Sequence, residues 1–287
     1  MTAPADLQQY DRWLAWHHAS RLFRWEAPAE PAGQDGVDWG DQRLIDASLR
    51  LVAPVALDLV RTFYSRLFSG HPHLRQLFPQ RMEAQPERLV AALVALAGAD
   101  GASPELVATL ENLGRDHRKF GIQPVHFSAV GQVLLATFAD YAGAAWTTEV
   151  ERAWLRRYEA AANIMIDAAR AAADLPPYWY ATVEQHVVSG VAAITVLRPH
   201  QPYDVTAGQV ATIETARLPR VWRPTRVLAT GQGGRVTVQT DPVDEFAHHI
   251  TAQLAVGDVV RLGCPSSAPD DRTAPLRQPV SAAAQRL

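Results

Sequence analysis

The sequence predicts an α plus β protein of two parts, an all-α domain followed by a small antiparallel β-barrel or sandwich. Alanine and leucine recur at helical spacing from Asp41 to about Ala173, and prolines fall only where helices should begin or end. The segment DLPP ends this pattern. From Trp179 onward, β-branched residues alternate with polar ones in short segments separated by Gly and Pro, which is typical of antiparallel strands.

Local signals place the helices. Ser103 before Pro104 is a typical helix start. Gly121 is expected to end one helix before the next helix begins at Pro124, and Thr147 is expected to cap the N-terminus of the last helix. Helix formers occupy 41–70, where one or two helices meet near Pro54, and then 86–98, 104–118, 124–142 and 147–172. The strand-like segments are TVEQHVV, AAITVLRP, GQVATIET, TRVLAT, RVTVQT and DVVRLG.

The ends of the chain differ from its centre. Residues 5–25 space their apolar side chains as in a short amphipathic helix that includes Trp13 and Trp16, and a Pro- and Gly-rich linker follows. We expect this helix to cover an apolar edge, with partner binding as the alternative. The predicted organisation is an N-terminal extension (1–39), a helical domain (40–173), a β domain (177–268) and a flexible tail (269–287).

Bulk composition narrows the functional classes. The 287 residues carry a net charge of -3, which gives no reason to expect nucleic acid or an anionic membrane as a partner. Cys264 is the only cysteine in the sequence, so no intrachain disulfide can form. We see neither a signal peptide nor an apolar run approaching the roughly 18–20 residues of a membrane span. We therefore expect a cytoplasmic protein.

Three segments carry a resemblance to a known family. TFYSRLFSGHPHLRQLFP, DHRKFGIQPVHFSAVGQVLLATF and AWLRRYEAAANIMI resemble, in this order, the second helix and its corner, the proximal helix with the next helix, and the last helix of flavohemoglobins. The resemblance runs from about Leu44 to Ser267. It implies a globin fold that binds haem b, followed by a barrel of the ferredoxin-reductase FAD-binding type.

The resemblance makes Phe78 the phenylalanine of the corner that packs on the porphyrin face. On the proximal side, it makes His117 the iron ligand. For each residue the alternative is an ordinary place in the core or on the surface. The family's tyrosine and glutamate around the proximal histidine correspond to Phe127 and Ala169 here, which offer no acceptor side chain for the imidazole. Because Asp167 is two helical positions from Ala169, it should face away. We therefore expect a neutral imidazole bonded to a backbone carbonyl.

On the distal side, the resemblance makes Tyr64 the donor of a hydrogen bond to bound dioxygen, with a core tyrosine as the alternative. Leu89 corresponds to the apolar residue that crowds the ligand pocket, and Gln85 to the distal glutamine. Pro86 follows Gln85 directly, and a residue before proline is pushed away from helical geometry. Gln85 is therefore expected at a helix start.

The β domain keeps the framework of a flavin-binding barrel but has lost flavin contacts. Arg223 corresponds to a pyrophosphate-binding arginine, whereas Thr225 and Arg226 replace the ring-stacking tyrosine and a small hydroxyl donor. Residues 241–250 hold no glycine for a phosphate turn. The sequence thus disfavours FAD, although Arg223 can still meet a phosphate. No nicotinamide fingerprint follows the barrel, so we expect electrons from an external reductase.

Three functions remain open. The resemblance implies a nitric oxide dioxygenase in which haem, dioxygen and nitric oxide yield nitrate. The alternative is a non-enzymatic haem protein that binds or senses a gas and uses the barrel as a partner-interaction module. The third is a remnant that binds haem and little else. Retention of Tyr64 and Leu89 favours the enzyme, and the altered flavin motif favours the other two.

Overall fold

The computed structural model describes residues 42–82, 85–98, 103–189, 192–240 and 253–266. The predicted N-terminal helix (5–25), the glycine-free segment (241–250) and the predicted tail (269–287) lie outside these residues, so those predictions stay untested.

The first part of the described chain is helical. Its α-helices are α1 (Gln42–Val52), α2 (Ala56–Gly70), α3 (Gln85–Ala97), α4 (Pro104–His117), α5 (Pro124–Ala142) and α6 (Thr148–Ala171). Short 3-10 turns join them at Ala53–Val55, Pro72–Leu77, Arg118–Phe120 and Gly143–Ala145. The predicted break near Pro54 is the first of these turns.

The helices begin at the predicted start signals because those residues satisfy free backbone amides. The Ser103 hydroxyl accepts a hydrogen bond from the Leu106 amide at 3.2 Å, and Thr147 accepts one from Val150 at 3.4 Å. Before α5, the amide of Gln123 donates to the imidazole Nδ1 of His126 at 3.0 Å. Local chemistry therefore sets three of the helix boundaries.

The main helical core combines large apolar side chains with one buried polar contact. Its fully buried members include Ile45, Phe63, Phe138 and Trp154. The Trp154 indole donates to the hydroxyl of Ser48 on α1 at 2.8 Å, which ties α6 to α1.

Helix α4 packs closely against α6 at Gly114. A Cβ added at Gly114 would lie 2.2 Å from the backbone oxygen of Met165. Only glycine allows this spacing, so Gly114 sets the position of the helix that ends at His117.

The second part of the described chain is a closed antiparallel barrel, as predicted. Its strands are β1 (Trp179–Ser189), β2 (Ala192–Pro199), β3 (Val210–Thr215), β4 (Arg223–Thr230), β5 (Val236–Thr240) and β6 (Val259–Leu262). Their order around the barrel is β1-β2-β5-β4-β3-β6. Alternate residues of β5 are buried, which is the period-two pattern read from the sequence. The interior is filled by Leu197, Ile213, Val238 and Leu262.

Among the described residues, no single helix is long and apolar enough to cross a membrane. The segments Pro104–Phe120 and Pro124–Ala145 meet the length and hydropathy requirement only as a pair, bent by 109°.

Candidate haem site

His117, the last residue of α4, is held by a backbone carbonyl. Its ring Nδ1 lies 2.7 Å from the carbonyl oxygen of Leu113, one helical turn earlier. Because a carbonyl oxygen can only accept, Nδ1 carries the hydrogen and Nε2 keeps its lone pair. Within the described residues, Nε2 has no hydrogen-bond partner. The sequence predicted this backbone-bonded imidazole, and the structure confirms it.

Two phenylalanines flank the imidazole. The ring centroids of Phe120 and Phe127 lie 6.3 Å from that of His117. Burial lowers the pKa of the His117 imidazole, against smaller opposing effects of the Leu113 carbonyl and the Asp116 carboxylate. The neutral form is the one that binds iron.

The polar side chains of Tyr158 and Asp167 on α6 bond groups other than His117. The hydroxyl of Tyr158, a residue that the sequence did not single out, donates to the backbone carbonyl of Phe127 at 2.7 Å. Asp167 pairs with Arg170 at 3.2 Å on an exposed face, as predicted. In the described structure, therefore, no side chain accepts a hydrogen bond from His117.

Tyr64 lies on α2 in an aromatic cluster. Its ring centroid is 5.0 Å from Phe63, 5.9 Å from Phe68 and 5.7 Å from Phe78. The Tyr64 hydroxyl makes no hydrogen bond within the described part of the chain. Burial raises the pKa of this phenol well above its usual value, so the hydroxyl stays protonated. The half-buried ring thus presents a donor with no protein acceptor.

The structure brings two other predicted site residues to this cluster. Leu89 and Phe78 pack with Tyr64 against the main helical core. Gln85 is the first residue of α3, and its backbone amide donates to Met82 at 3.0 Å. The predicted helix-start position is confirmed, but no hydrogen bond connects Gln85 with Tyr64 among the described residues.

His117 and Tyr64 belong to different walls of the helical domain. Tyr64 packs on the main core, whereas Phe127, the neighbour of His117, packs on a separate cluster that includes Leu106 and Met165. Helix α4 rests chiefly on α6 and makes little contact with α2 or α3 in the described ranges.

The residues present fit haem. The described residues contain no group of three or more His, Cys, Asp or Glu side chains that could hold a metal ion. Haem needs a single imidazole from the protein, and His117 offers one with its Nε2 lone pair free. Phe78 and Leu89 supply apolar contacts, and Tyr64 supplies a hydrogen-bond donor.

One of the positions that the resemblance assigns to flavin contacts serves the barrel's own structure. Thr225 is buried; its hydroxyl donates to the Gln239 carbonyl at 2.9 Å and bonds the Thr240 hydroxyl at 3.0 Å. Arg226 is exposed. Arg223 is only 6% exposed, so the predicted pyrophosphate contact gains no support from its placement and stays a prediction.

Besides Tyr158, sequence reasoning missed three residues near Tyr64, His117 and the barrel. Phe68 stacks on Tyr64, and its i,i+4 spacing on α2 could have indicated this. Arg220 has a left-handed φ of 64°, and its guanidinium lies 3.5 Å from the Leu77 carbonyl and 3.3 Å from that of Phe120. Lys119 contacts the barrel directly. No sequence pattern points to the last two, because their partners are distant along the chain.

Comparisons with known proteins agree with this architecture. The Globin family model matches residues 61–165. The flavohemoprotein of Vibrio cholerae is 27% identical over an alignment of 248 residues that covers 78% of this chain and 63% of that protein. The flavohemoprotein of Bordetella pertussis is 33% identical over 134 residues, covering 44% of this chain and 33% of its own length.

A solved flavohemoglobin shows the same fold. The protein from Malassezia yamatoensis, with bound FAD and haem, is 20% identical with a TM-score of 0.61 and covers 79% of this chain and 63% of its own. This chain thus spans less than two thirds of the length of the relatives that it matches. Residues 61–165 match the Globin family, and the chain is similar to flavohemoproteins. Its helical globin domain followed by a closed six-stranded antiparallel β-barrel is the flavohemoglobin fold.

Proposed function

We propose that this protein binds haem through His117 and uses it to bind dioxygen and nitric oxide. The observation that carries the proposal is the 2.7 Å hydrogen bond from His117 Nδ1 to the Leu113 carbonyl. That bond fixes the tautomer and leaves the Nε2 lone pair for iron, which is how metal-binding histidines are commonly oriented. The globin match over residues 61–165 supports it.

The chain's own side chains define the surroundings of a bound gas. Phe78 and Leu89 offer apolar surface on the same core as Tyr64, and the Tyr64 hydroxyl is available to donate a hydrogen bond. When bound, haem supplies the iron at which dioxygen, nitric oxide and one electron combine to form nitrate. We propose this nitric oxide dioxygenase chemistry as the activity of the protein.

We further propose that the electron comes from a separate reductase protein. The support is the barrel itself, because the hydroxyl of Thr225 is bonded inside the barrel and Arg226 places a charge where a flavin ring would need a small donor. The purified protein should then show haem absorbance without the absorbance of bound flavin. A stoichiometric flavin after purification would contradict this part of the proposal.

The second candidate is a non-enzymatic gas-binding or gas-sensing protein in which the barrel is an interaction module. A direct contact favours it: Lys119, two residues from His117, donates to Thr212 of β3 at 2.9 Å. Mixing the oxygenated ferrous protein with nitric oxide in a stopped-flow instrument separates the candidates. Rapid formation of ferric haem and nitrate supports the enzyme, and slow or absent conversion supports the sensor.

Replacing Tyr64 by phenylalanine tests the distal donor. We expect Tyr64→Phe to speed dioxygen release from the ferrous protein by roughly tenfold or more, since a hydrogen bond to a charged group is worth about 1.5–3 kcal/mol. Flash photolysis or stopped-flow displacement measures this rate. Tyr141→Phe is the matched control, because the Tyr141 hydroxyl bonds Thr62 at 2.8 Å on an exposed face. An unchanged release rate in Tyr64→Phe would mean that Tyr64 does not face the gas.

A further inference from the structure

A lysine beside the candidate iron ligand is buried against the barrel. The side chain of Lys119 is 1% exposed, although lysine is almost never fully buried unless it is paired. Its Nζ lies 2.6 Å from both carboxylate oxygens of Asp116 and 2.9 Å from the hydroxyl of Thr212 on β3. One side chain thus joins the end of α4 to a barrel strand.

The surroundings of this ammonium leave little freedom. The centroid of the Trp222 ring lies 4.5 Å from Nζ, and that of Phe120 lies 5.4 Å from it. At Gly263, which follows β6, an added Cβ would lie 2.2 Å from the Thr212 hydroxyl oxygen and 3.2 Å from Lys119 Nζ. The barrel backbone therefore closes directly over the contact.

The energetics favour one arrangement of this cluster. A buried ammonium is costly unless its charge is paired and its three N–H donors are satisfied. Here the Asp116 carboxylate and the Thr212 hydroxyl together provide three acceptor contacts. If Lys119 moved away from any of them, a buried donor would be left unsatisfied. The cluster is therefore a rigid connection.

The two charged residues of this cluster lie on either side of His117 in the sequence. Asp116 precedes His117 and Lys119 follows it by two residues, so the two anchored residues fix the backbone that carries the imidazole. No side chain in the described structure accepts a hydrogen bond from the ring, which leaves its orientation to the Leu113 carbonyl and to this backbone. The barrel reaches the candidate iron ligand through Thr212.

We propose that the barrel positions His117 through Lys119, which is a positioning residue held by Thr212 and Asp116. The inference rests on the proposed role of His117 as the iron ligand. It assigns the barrel a structural role at the haem that requires no flavin.

The test removes one hydroxyl at the barrel. The test variant, Thr212→Val, removes the hydroxyl and keeps the shape of the side chain. Thr212→Ser is a control that keeps the hydroxyl. Thr237→Val is a second control that removes a hydroxyl from β5, where the Thr237 side chain makes no hydrogen bond within the described residues. In the full-length haem-loaded protein, we expect Thr212→Val to shift the iron–histidine stretching frequency seen by resonance Raman. We also expect it to lose haem to a scavenging apoglobin faster, by up to about tenfold, since direct partners of metal ligands are worth roughly 10–100-fold in affinity and Thr212 acts one contact further away.

The outcomes separate this inference from the proposed function. Thr212→Ser and Thr237→Val should match the wild type in both measurements. If Thr212→Val keeps the wild-type frequency and rate while holding haem, the positioning inference is wrong and the haem proposal stands. Lys119→Gln is a second test variant, and we expect it to change the stretching frequency and the rate of haem loss in the same direction as Thr212→Val does. If the wild-type protein binds no haem when it is supplied, the proposed function itself fails.

Discussion

Replacing His117 by alanine is expected to abolish stable haem binding. The imidazole is the one proposed protein ligand of the iron, and its Nε2 lone pair cannot be replaced by a methyl group. We expect the affinity for haem to fall by more than about 100-fold, since even outer partners of metal ligands are worth roughly 10–100-fold. Titration of the apoprotein with haem, followed by the Soret absorbance, measures the change.

A matched histidine replacement controls for this experiment. His73 is exposed on the turn that precedes Phe78, so His73→Ala should bind haem as the wild type does. Circular dichroism of the apoprotein should show that both variants keep their helices. An unaltered Soret spectrum in His117→Ala would refute the assignment of the ligand and the proposals built on it.

Adding one methyl group at Gly114 is expected to weaken the whole helical domain. The new Cβ would lie 2.2 Å, 2.6 Å and 2.7 Å from the backbone O, Cα and C of Met165, so no side-chain rotation can relieve the clash. Helices α4 and α6 must move apart. We expect a loss of about 1–3 kcal/mol in the free energy of unfolding, as for other overpacked cores. The gain of roughly 1 kcal/mol in helix propensity offsets part of this loss, which leaves a net destabilisation of up to about 2 kcal/mol.

Urea unfolding of the Gly114→Ala variant measures the effect, and Gly70→Ala is its control. A Cβ at Gly70, the last residue of α2, would meet nothing within 4 Å, so the same substitution should leave stability equal or slightly higher. Equal midpoints for Gly114→Ala and the wild type would show that α4 and α6 can separate at no cost.

Much of the fold could be predicted because its signals are local. The caps at Ser103 and Thr147 act within one helical turn, and the alternation in β5 is visible in five consecutive residues. The backbone contact of His117 was predictable for the same reason, since its acceptor, Leu113, is four residues away.

The contacts between the two parts of the chain could not be predicted in this way. Lys119 and Thr212 are 93 positions apart, and an isolated lysine reads as a surface residue. The left-handed backbone of Arg220 has no sequence signal either, because glycine or asparagine is the usual residue there. The roles of Tyr64, Gln85 and Arg223, the domain limits and the cytoplasmic location stay predictions.

Closure of the barrel has a consequence for how its sequence can change. Strands that complete their hydrogen bonds around a ring need no cofactor to hold them together, and they leave no edge for unwanted strand pairing. Substitutions at the positions that the resemblance assigns to flavin contacts, such as Thr225 and Arg226, are therefore compatible with an intact domain. Mutational tolerance should be high at exposed Arg226 and low at Gly263, where the barrel meets the globin.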